Sequence, residues 1–356
     1  MSAASSAAAP VSLPLREALA RVCDRRSLTA DEMAAVVGQL MDGEATPAQI
    51  GAFLVAMRMK GETVDEIVGA ARAMRARMTT VPFSAPVVVD TCGTGGDHSG
   101  SANISTLAAF VVAACGVPVA KHGNRALSSR AGAHDALEAL GLDPAPEPAL
   151  AARCLTEERL AFLFAPAYHA ATRHVGAARR ELGLRTLFNV LGPLTNPGGA
   201  RYHVNGVFAA DRCQPVAEAH RALGASAAMV VHGSGGLDEF CPDAPTFVAE
   251  LRDGHVRTYE VGPESFGLAP ADRAGLRGGS PADNALLAEK TLAGAPGAIR
   301  VATVMTAAAA LALAGRAPDL SQAARLAERA LDDGAAATVL ARLRALAPRP
   351  APRSVP

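Results

Sequence analysis

The amino-terminal part of the chain carries apolar positions at helical spacing. Leu15, Leu19 and Val22 fall on one helical face, and later apolar residues recur every three or four positions up to about Met78. Capping boxes, in which a threonine is followed three residues later by Glu or Gln, mark helix starts at Thr29, Thr46 and Thr63. The pattern predicts a small all-helical domain over residues 13–80, preceded by a disordered tail over residues 1–12.

After Pro86, short apolar runs alternate with helical stretches. Strands are expected near 87–89, 117–121, 161–165, 202–209 and 227–231, with an antiparallel hairpin over 247–251 and 256–261. Helices between strands favour a parallel sheet that is covered on both faces. The sequence therefore predicts an α/β domain with a mostly parallel central sheet over residues 86–346. Its last helical stretches are 282–292, 298–314 and 322–346, and residues 347–356 form a loose tail.

Composition and charge narrow the class of protein. Half of the residues (50%) are hydrophobic, 19% are charged and the formal net charge is +0, so a packed globular protein is expected, without a general attraction to nucleic acid or membrane. The six cysteines form no CxxC pair, which indicates reduced thiols and argues against a zinc site. We find no secretory signal and no membrane span, and we expect a cytoplasmic protein.

The first candidate site is a glycine-rich loop after the first strand. It reads Asp90-Thr91-Cys92-Gly93-Thr94-Gly95-Gly96-Asp97 and is followed by Asn103-Ile104-Ser105-Thr106 at the start of an apolar helix. Glycines let the backbone approach a ligand closely, and free amides at a helix start favour an anion. The loop lacks the Gly-Lys-Ser/Thr of a Walker loop, and His98 stands at the third glycine position of the dinucleotide fingerprint. An ordinary tight turn is the alternative.

Two further polar loops follow predicted strands. Lys121-His122-Gly123-Asn124-Arg125-Ala126-Leu127-Ser128-Ser129 supplies cations and hydroxyls that can surround a phosphate, unless it is a solvated basic turn. The loop His232–Glu239 ends in the carboxylates of Asp238 and Glu239, which suit a hydrated Mg²⁺ unless they are surface charge. Because ligands bind at the carboxyl edge of such sheets, we expect the three loops to lie together.

The ordered motifs resemble the anthranilate phosphoribosyltransferase family over roughly Leu15–Gly315. The matching stretches are Gly93–Asp97, Asn103–Thr106, Lys121–Ser129, Asp135–Gly141, Phe164–Pro166, Arg179–Gly183, Phe188–Pro197, Gly236–Glu239, Thr46–Leu54 and Lys60–Thr63. The resemblance implies transfer of a phosphoribosyl group from 5-phosphoribosyl 1-pyrophosphate (PRPP) to the amine of anthranilate, in tryptophan biosynthesis. It also implies substrates in a cleft between the two domains, a homodimer joined through the helical domains, and a hinge at 188–197. A segment near 183–200 is expected to complete the helical domain.

The resemblance also implies roles for individual residues. The metal positions are Ser105, Asp238 and Glu239, for two Mg²⁺ ions held partly through PRPP, and the anthranilate contacts are Gly93, Asn124 and Arg179, whose guanidinium meets the carboxylate. The PRPP contacts are Gly93, Thr94, Gly96, Asp97, Ser101, Asn103, Ile104, Ser105, Thr106, Lys121, His122, Gly123, Asn124, Arg125, Ala126, Leu127, Ser128, Ser129 and Ala133. No covalent nucleophile is needed. His122 is either a proton acceptor or a structural loop histidine.

Four positions depart from the family pattern. Ala133 stands where a serine hydroxyl is usual, and His134 adds a titratable ring that is either functional or simply tolerated at the surface. His98 replaces a common glycine and Thr306 a common asparagine. These departures bear on donor affinity and on the choice of acceptor.

Three alternatives remain open at this point. One is a related transferase that acts on another aromatic amine or a nucleobase. Another is a pyrimidine-nucleoside phosphorylase of similar architecture, which the Asp238–Glu239 pair disfavours because that pair suits magnesium pyrophosphate. The last is a non-catalytic homologue that binds nucleic acid, which the net charge of +0 disfavours.

Overall fold

The computed structural model describes residues 12–97, 99–124 and 132–350. The helices are α1 (Leu15–Cys23), α2 (Ala30–Asp42), α3 (Pro47–Lys60), α4 (Val64–Arg75), α5 (Ile104–Ala114), α6 (Ala133–Ala139), α7 (Pro148–Glu157), α8 (Ala165–Tyr168), α9 (Arg173–Leu182), α10 (Phe188–Leu191), α11 (Cys213–Ala222), α12 (Pro281–Leu292), α13 (Ala298–Leu313), α14 (Leu320–Asp332) and α15 (Ala335–Leu346). The strands are β1 (Val89–Asp90), β2 (Val119–Gly123), β3 (Leu160–Phe164), β4 (Tyr202–Gly206), β5 (Ala227–Gly233), β6 (Thr246–Arg252) and β7 (His255–Val261). Among the described residues, no helix has both the length and the apolar character needed to cross a membrane.

The chain divides into a helical unit, up to Arg77 together with Ala171–Leu187, and an α/β unit, Met78–Ala170 together with Phe188 onward. The segment that completes the helical unit therefore differs from the predicted 183–200. Residues from 188 onward belong to the α/β unit, because Asn196 donates to the Ala120 carbonyl (2.7 Å) and Val81 N–H donates to the Pro197 carbonyl (2.9 Å).

The helical unit begins its helices where the capping boxes predict. Thr29, Thr46 and Thr63 each accept the amide of the residue three positions on, and the Glu or Gln there returns a bond to the threonine amide. Glu66, the acidic residue of the Thr63 box, is buried. Its carboxylate accepts from Lys60 Nζ (2.8 Å) and from Leu28 N–H (3.0 Å), so its charge is neutralised inside the unit.

The α/β unit is built on a seven-stranded sheet in the order β3-β2-β1-β4-β5-β6-β7. The strands from β3 to β5 pair in parallel, and β6 and β7 add an antiparallel hairpin that turns at Asp253–Gly254, where both residues have positive φ. The predicted fold class is confirmed. Since β1, β2, β4 and β5 run the same way, the loops that follow them leave from one edge of the sheet.

The carboxyl-terminal region differs from its prediction in two places. The helical stretch 322–346 is two helices, α14 and α15, separated at Gly334, where φ is 71°. Residues 347–349 are not loose, because Asp143 N–H donates to the Ala347 carbonyl (3.0 Å) and Arg349 N–H donates to the Gly141 carbonyl (2.9 Å). Residues 351–356 and 1–11, which belong to the two predicted tails, lie outside the described residues.

Candidate active site

The glycine loop leaves β1 and folds over the first turn of α5. Thr94 N–H donates to the Gly206 carbonyl at the end of β4 (2.8 Å), and the Thr91 hydroxyl donates to the Ser105 carbonyl (2.8 Å). Gly95 and Gly96 have φ of 63° and 80°, the left-handed region that favours glycine. The loop is thus fixed at both ends, and its glycines carry no Cβ that would keep a ligand away from the backbone.

The start of α5 lies at the same place, and its first amides are bonded within the protein: Ile104 N–H donates to the Ala102 carbonyl (2.8 Å) and Thr106 N–H to the Asn103 carbonyl (3.1 Å). Asn103, the N-cap residue, makes no side-chain capping bond, and its Oδ1 instead accepts from Asn284 Nδ2 at 3.1 Å. The side chains of Ile104 and Thr106 are buried. Before the helix, the Ser99 hydroxyl donates to the Ser101 hydroxyl at 3.1 Å.

The carboxylate loop after β5 reaches the glycine loop. Glu239 Oε1 accepts the amide of Ser105 (3.2 Å), and Asp97 Oδ2 accepts the amide of Asp238 (3.4 Å). The sequence motifs predict that these two loops lie together, and the geometry of the α/β unit brings Asp97, Ser105, Asp238 and Glu239 to one point.

Two glycines make this approach possible. A Cβ on Gly206 would lie 1.4 Å from the Asp238 carbonyl oxygen, and a Cβ on Gly233 would lie 2.5 Å from that of Glu239. Both distances are shorter than any real contact, so the backbone of the carboxylate loop rests directly on the ends of β4 and β5. Gly206 was not among the residues singled out from the sequence.

Burial, and after it a neighbouring carboxylate, raises the pKa of both Asp238 and Glu239. Burial, followed by the charge of Asp97, raises the pKa of Asp238 to about 7. Burial and the neighbouring Asp238 raise the pKa of Glu239 well above its usual value. A cation between these oxygens would stabilise the charged forms, which is the electrostatic requirement of a divalent metal site.

The donor set fits magnesium held in part by a bound ligand. Within the described ranges, no group of three or more His, Cys, Asp or Glu side chains is arranged to hold a metal ion by itself. Mg²⁺ commonly takes one or two carboxylates and completes its octahedron with water and substrate phosphates, which Asp238 and Glu239 can accommodate.

Lys121 lies in the middle of β2, beside the strand that carries the glycine loop. It is 3% exposed, and the buried Asp90 carboxylate faces it, accepting from His122 N–H (3.1 Å) and Asn196 Nδ2 (2.7 Å). Burial raises the pKa of Asp90 to about 6, although the charge of Lys121 works against this rise. Gly123 and Asn124 follow in the described part of this loop, whereas Arg125, Ala126, Leu127, Ser128 and Ser129, like His98 of the glycine loop, lie outside the described residues.

His122 is placed as a structural residue. Its side chain is 1% exposed, Nδ1 lies 2.9 Å from the Gly192 carbonyl, and its ring centroid is 5.1 Å from that of His169. Burial lowers the pKa of His122 to about 3, which makes the ring a weak base at neutral pH. Of the two interpretations of this histidine, the geometry favours the structural one.

Two of the four departures from the family pattern, His134 and Thr306, occupy buried positions. Ala133 begins α6, and His134 after it is 6% exposed, so it does not lie at the surface. The His134 ring packs on Phe164 with centroids 4.1 Å apart, and Nε2 lies 3.3 Å from Glu138 Oε1. Thr306 is buried in α13, where its hydroxyl donates to the Ala302 carbonyl at 3.0 Å.

Arg179 and Arg180 differ within the helical unit. Both lie in the last turn of α9, which ends at Gly183 in the left-handed conformation. Arg179 is half-buried and burial lowers its pKa, whereas Arg180 is exposed. A desolvated guanidinium gains more from a carboxylate ligand than a solvated one does.

The chain matches two family models and many characterised relatives. Residues 16–78 match the helical bundle domain, and residues 85–337 the a/b domain, of a glycosyl transferase family. Anthranilate phosphoribosyltransferase from Rhodopseudomonas palustris (strain BisA53) is 49% identical over 331 residues, covering 93% of this chain and 97% of the relative. The enzyme of that name from Methylobacterium radiotolerans is 52% identical over 329 residues, covering 92% of this chain and 95% of the relative.

Solved structures give the same result. The crystal structure of anthranilate phosphoribosyltransferase from Thermus thermophilus matches with a TM-score of 0.88 and 42% identity, over 92% of this chain and 98% of that one. The Saccharomyces cerevisiae enzyme in complex with PRPP and Mg matches with a TM-score of 0.83 and 25% identity, over 93% of this chain and 97% of that one. The resemblance inferred from the motifs is confirmed, and the chain belongs to the anthranilate phosphoribosyltransferase family.

Proposed function

We propose that the chain transfers the phosphoribosyl group of PRPP to the amine of anthranilate and releases pyrophosphate. The observation that carries the proposal is the meeting of the glycine loop, the α5 amides and the carboxylate loop, joined by the Ser105 N–H bond to Glu239. An anion-binding backbone directly beside clustered carboxylates suits a magnesium pyrophosphate better than a free phosphate or a nucleic acid.

The glycine loop and Lys121 bind the donor. The backbone of Gly93–Asp97 and the first turn of α5 lie against the phosphates, and the buried Lys121, whose charge also acts on Asp90, contributes a positive charge. We include Arg125, Ser128 and Ser129 of the same loop in this role on the family resemblance. Ser105, Asp238 and Glu239, together with donor oxygens, would hold two Mg²⁺ ions, which would supply positive charge to the leaving pyrophosphate.

The reaction exchanges one bond for another at C1 of the ribose. The C1–O bond to pyrophosphate breaks, the anthranilate nitrogen forms the new C1–N bond, and the nitrogen then loses a proton to water. Fixed amides and cations that meet the leaving group lower the barrier, because they stabilise charge where it develops. Holding both substrates in line provides a further part of the acceleration.

Arg179 receives the anthranilate carboxylate, with Asn124 and Gly93 as further contacts. The half-buried state of Arg179 supports the proposal, since its guanidinium is already stripped of part of its water. We further propose a homodimer joined through the helical units. The six cysteines, all free thiols, support a cytoplasmic location.

The test is turnover by the purified chain. Anthranilate fluorescence is followed after PRPP and Mg²⁺ are added, with EDTA in a parallel sample. We expect a loss of fluorescence that requires PRPP and that the chelator abolishes. The absence of turnover by folded protein at saturating substrates would refute the proposal, and turnover with another aromatic amine alone would point to a different acceptor.

A further inference from the structure

The end of β4 carries a buried amide side chain that no role described so far uses. We infer that Asn205, oriented by His220, is a positioning residue that fixes the glycine loop in its donor-binding form. The inference rests on the proposed function, since it assigns a determinant of donor affinity to that same site.

Asn205 bonds to the first turn of the glycine loop. It is 0% exposed, and its Nδ2 donates to the Cys92 carbonyl at 2.7 Å. The ladder between β1 and β4 ends where Asp90 pairs with His203, and the next backbone bond joins Thr94 N–H to Gly206. The Asn205 side chain therefore spans the interval in which the loop leaves the sheet.

His220 determines which way the amide of Asn205 points. The Nε2 atom of His220, in α11, is hydrogen-bonded to Asn205 Oδ1, and the His220 side chain is 0% exposed. Because Oδ1 can only accept, Nε2 carries the proton, and the NH2 group of Asn205 is left to face Cys92. The His203 ring packs on the His220 ring with centroids 4.3 Å apart, which holds the imidazole in place.

The same strand end also supports the carboxylate loop. Gly206, the next residue, lies directly under the Asp238 carbonyl. Asn205 and Gly206 thus hold in place the glycine loop and the carboxylate loop, which bind opposite parts of a magnesium-bound donor. Neither residue contacts the donor itself. A shift of the Cys92 peptide would move the Gly93 amide away from the donor phosphates, which would weaken donor binding more than acceptor binding.

The test compares Asn205→Asp with wild type and with a control that loses a buried bond elsewhere. Asn205→Asp keeps the shape and the acceptor for His220 but turns a carboxylate oxygen toward the Cys92 carbonyl. Tyr168→Phe is the control, because it removes a buried bond from the Tyr168 hydroxyl to the Pro146 carbonyl (2.6 Å) in the same unit. The readouts are the steady-state KM for each substrate, the PRPP Kd by calorimetry with Mg²⁺, and the Tm.

For Asn205→Asp we expect the PRPP KM and Kd to rise on the order of tenfold or more, while the anthranilate KM changes by less than about threefold. Tyr168→Phe lowers the Tm and leaves both KM values unchanged. Lowering the pH restores PRPP affinity in Asn205→Asp relative to wild type, because the protonated carboxyl can again donate to Cys92. The titratable neighbours of position 205 are His203, His220 and Cys92. Burial raises the pKa of the Cys92 thiol, and Nε2 of His220 donates whether or not its ring is charged.

A second variant covers the case in which Asn205→Asp does not fold. His220→Phe keeps a ring against His203 and removes the Nε2 donor, and we expect a smaller rise in PRPP KM and Kd. A folded variant of either kind with PRPP Kd within twofold of wild type, or an equal loss for both substrates, would overturn the positioning role. Inactive wild type would refute the proposed function instead, and the PRPP Kd values would still decide the role of Asn205.

Discussion

Replacing Gly206 by alanine is the sharpest perturbation of the site, because the new atom meets backbone and not a flexible side chain. Its Cβ would lie 1.4 Å from the Asp238 carbonyl oxygen. To reach an ordinary contact distance, that carbonyl must move by more than about 1.5 Å, and the carboxylates of Asp238 and Glu239 move with it. The side chain that is added is small, yet it displaces the whole carboxylate loop.

The expected loss is large. Misplacing a reacting group by about 1 Å costs on the order of a hundredfold in rate, so kcat/KM of Gly206→Ala should fall by at least that factor. Overpacking should also lower the free energy of unfolding by roughly 1–3 kcal/mol. Raised Mg²⁺ should recover part of the activity if the metal positions are weakened and not lost.

The assay pairs turnover over a range of Mg²⁺ with the Tm and the circular-dichroism spectrum. Gly51→Ala is the matched control, since no atom lies within 4 Å of the position where its Cβ would be built, and it should retain full activity. A Gly206→Ala protein that is folded and has kcat/KM within about threefold of wild type would refute the claim that the end of β4 supports the carboxylate loop.

Three further predictions follow from the charged groups. Asp238→Asn combined with Glu239→Gln should lower turnover by at least about a hundredfold, with partial rescue by Mg²⁺ in a titration; an unchanged rate would make the pair surface charge. Arg179→Ala should raise the anthranilate KM about thirty- to a hundred-and-fifty-fold and leave the PRPP KM nearly unchanged, whereas Arg180→Ala should change neither; steady-state kinetics with each substrate varied decides this. Asp90 should make wild type lose stability as pH rises from about 4 to about 6.5, because its folded pKa, raised from 3.8 to about 6, lies above the unfolded value. In urea titrations, the free energy of unfolding of wild type should fall by about 3 kcal/mol relative to that of Asp90→Asn over this range. Equal pH dependence of the two unfolding free energies would contradict the shift.

Local signals in the sequence accounted for most of the fold. The capping boxes at Thr29, Thr46 and Thr63 form as predicted, since their bonds involve only neighbours in sequence. The hairpin of β6 and β7 was visible from Asp253–Gly254 for the same reason. The stretch 188–200 was assigned to the wrong unit, because its anchor is the long-range bond from Asn196 to the Asp90 strand, which periodicity does not reveal.

The sequence motifs predicted which loops meet at the candidate site, but not the residues that support those loops. Charged and glycine-rich loops are easily recognised in a sequence, and Asp97, Ser105, Asp238 and Glu239 do meet in the structure. Gly206, which lies on β4 between the two loops, has no ligand-like chemistry and became visible only through the contact that it permits. The signal available beforehand was a polar Asn followed by Gly at the carboxyl end of this strand.

The most direct test of the central claim is identification of the product. Purified protein is incubated with anthranilate, PRPP and Mg²⁺, and the mixture is resolved by chromatography with mass detection beside a pyrophosphate assay. We predict equal amounts of N-(5-phosphoribosyl)anthranilate and pyrophosphate, no product with EDTA, and little from the Asp238→Asn, Glu239→Gln protein. Folded wild type that releases phosphate in place of pyrophosphate, or that forms no C1–N bond to anthranilate, would contradict the account.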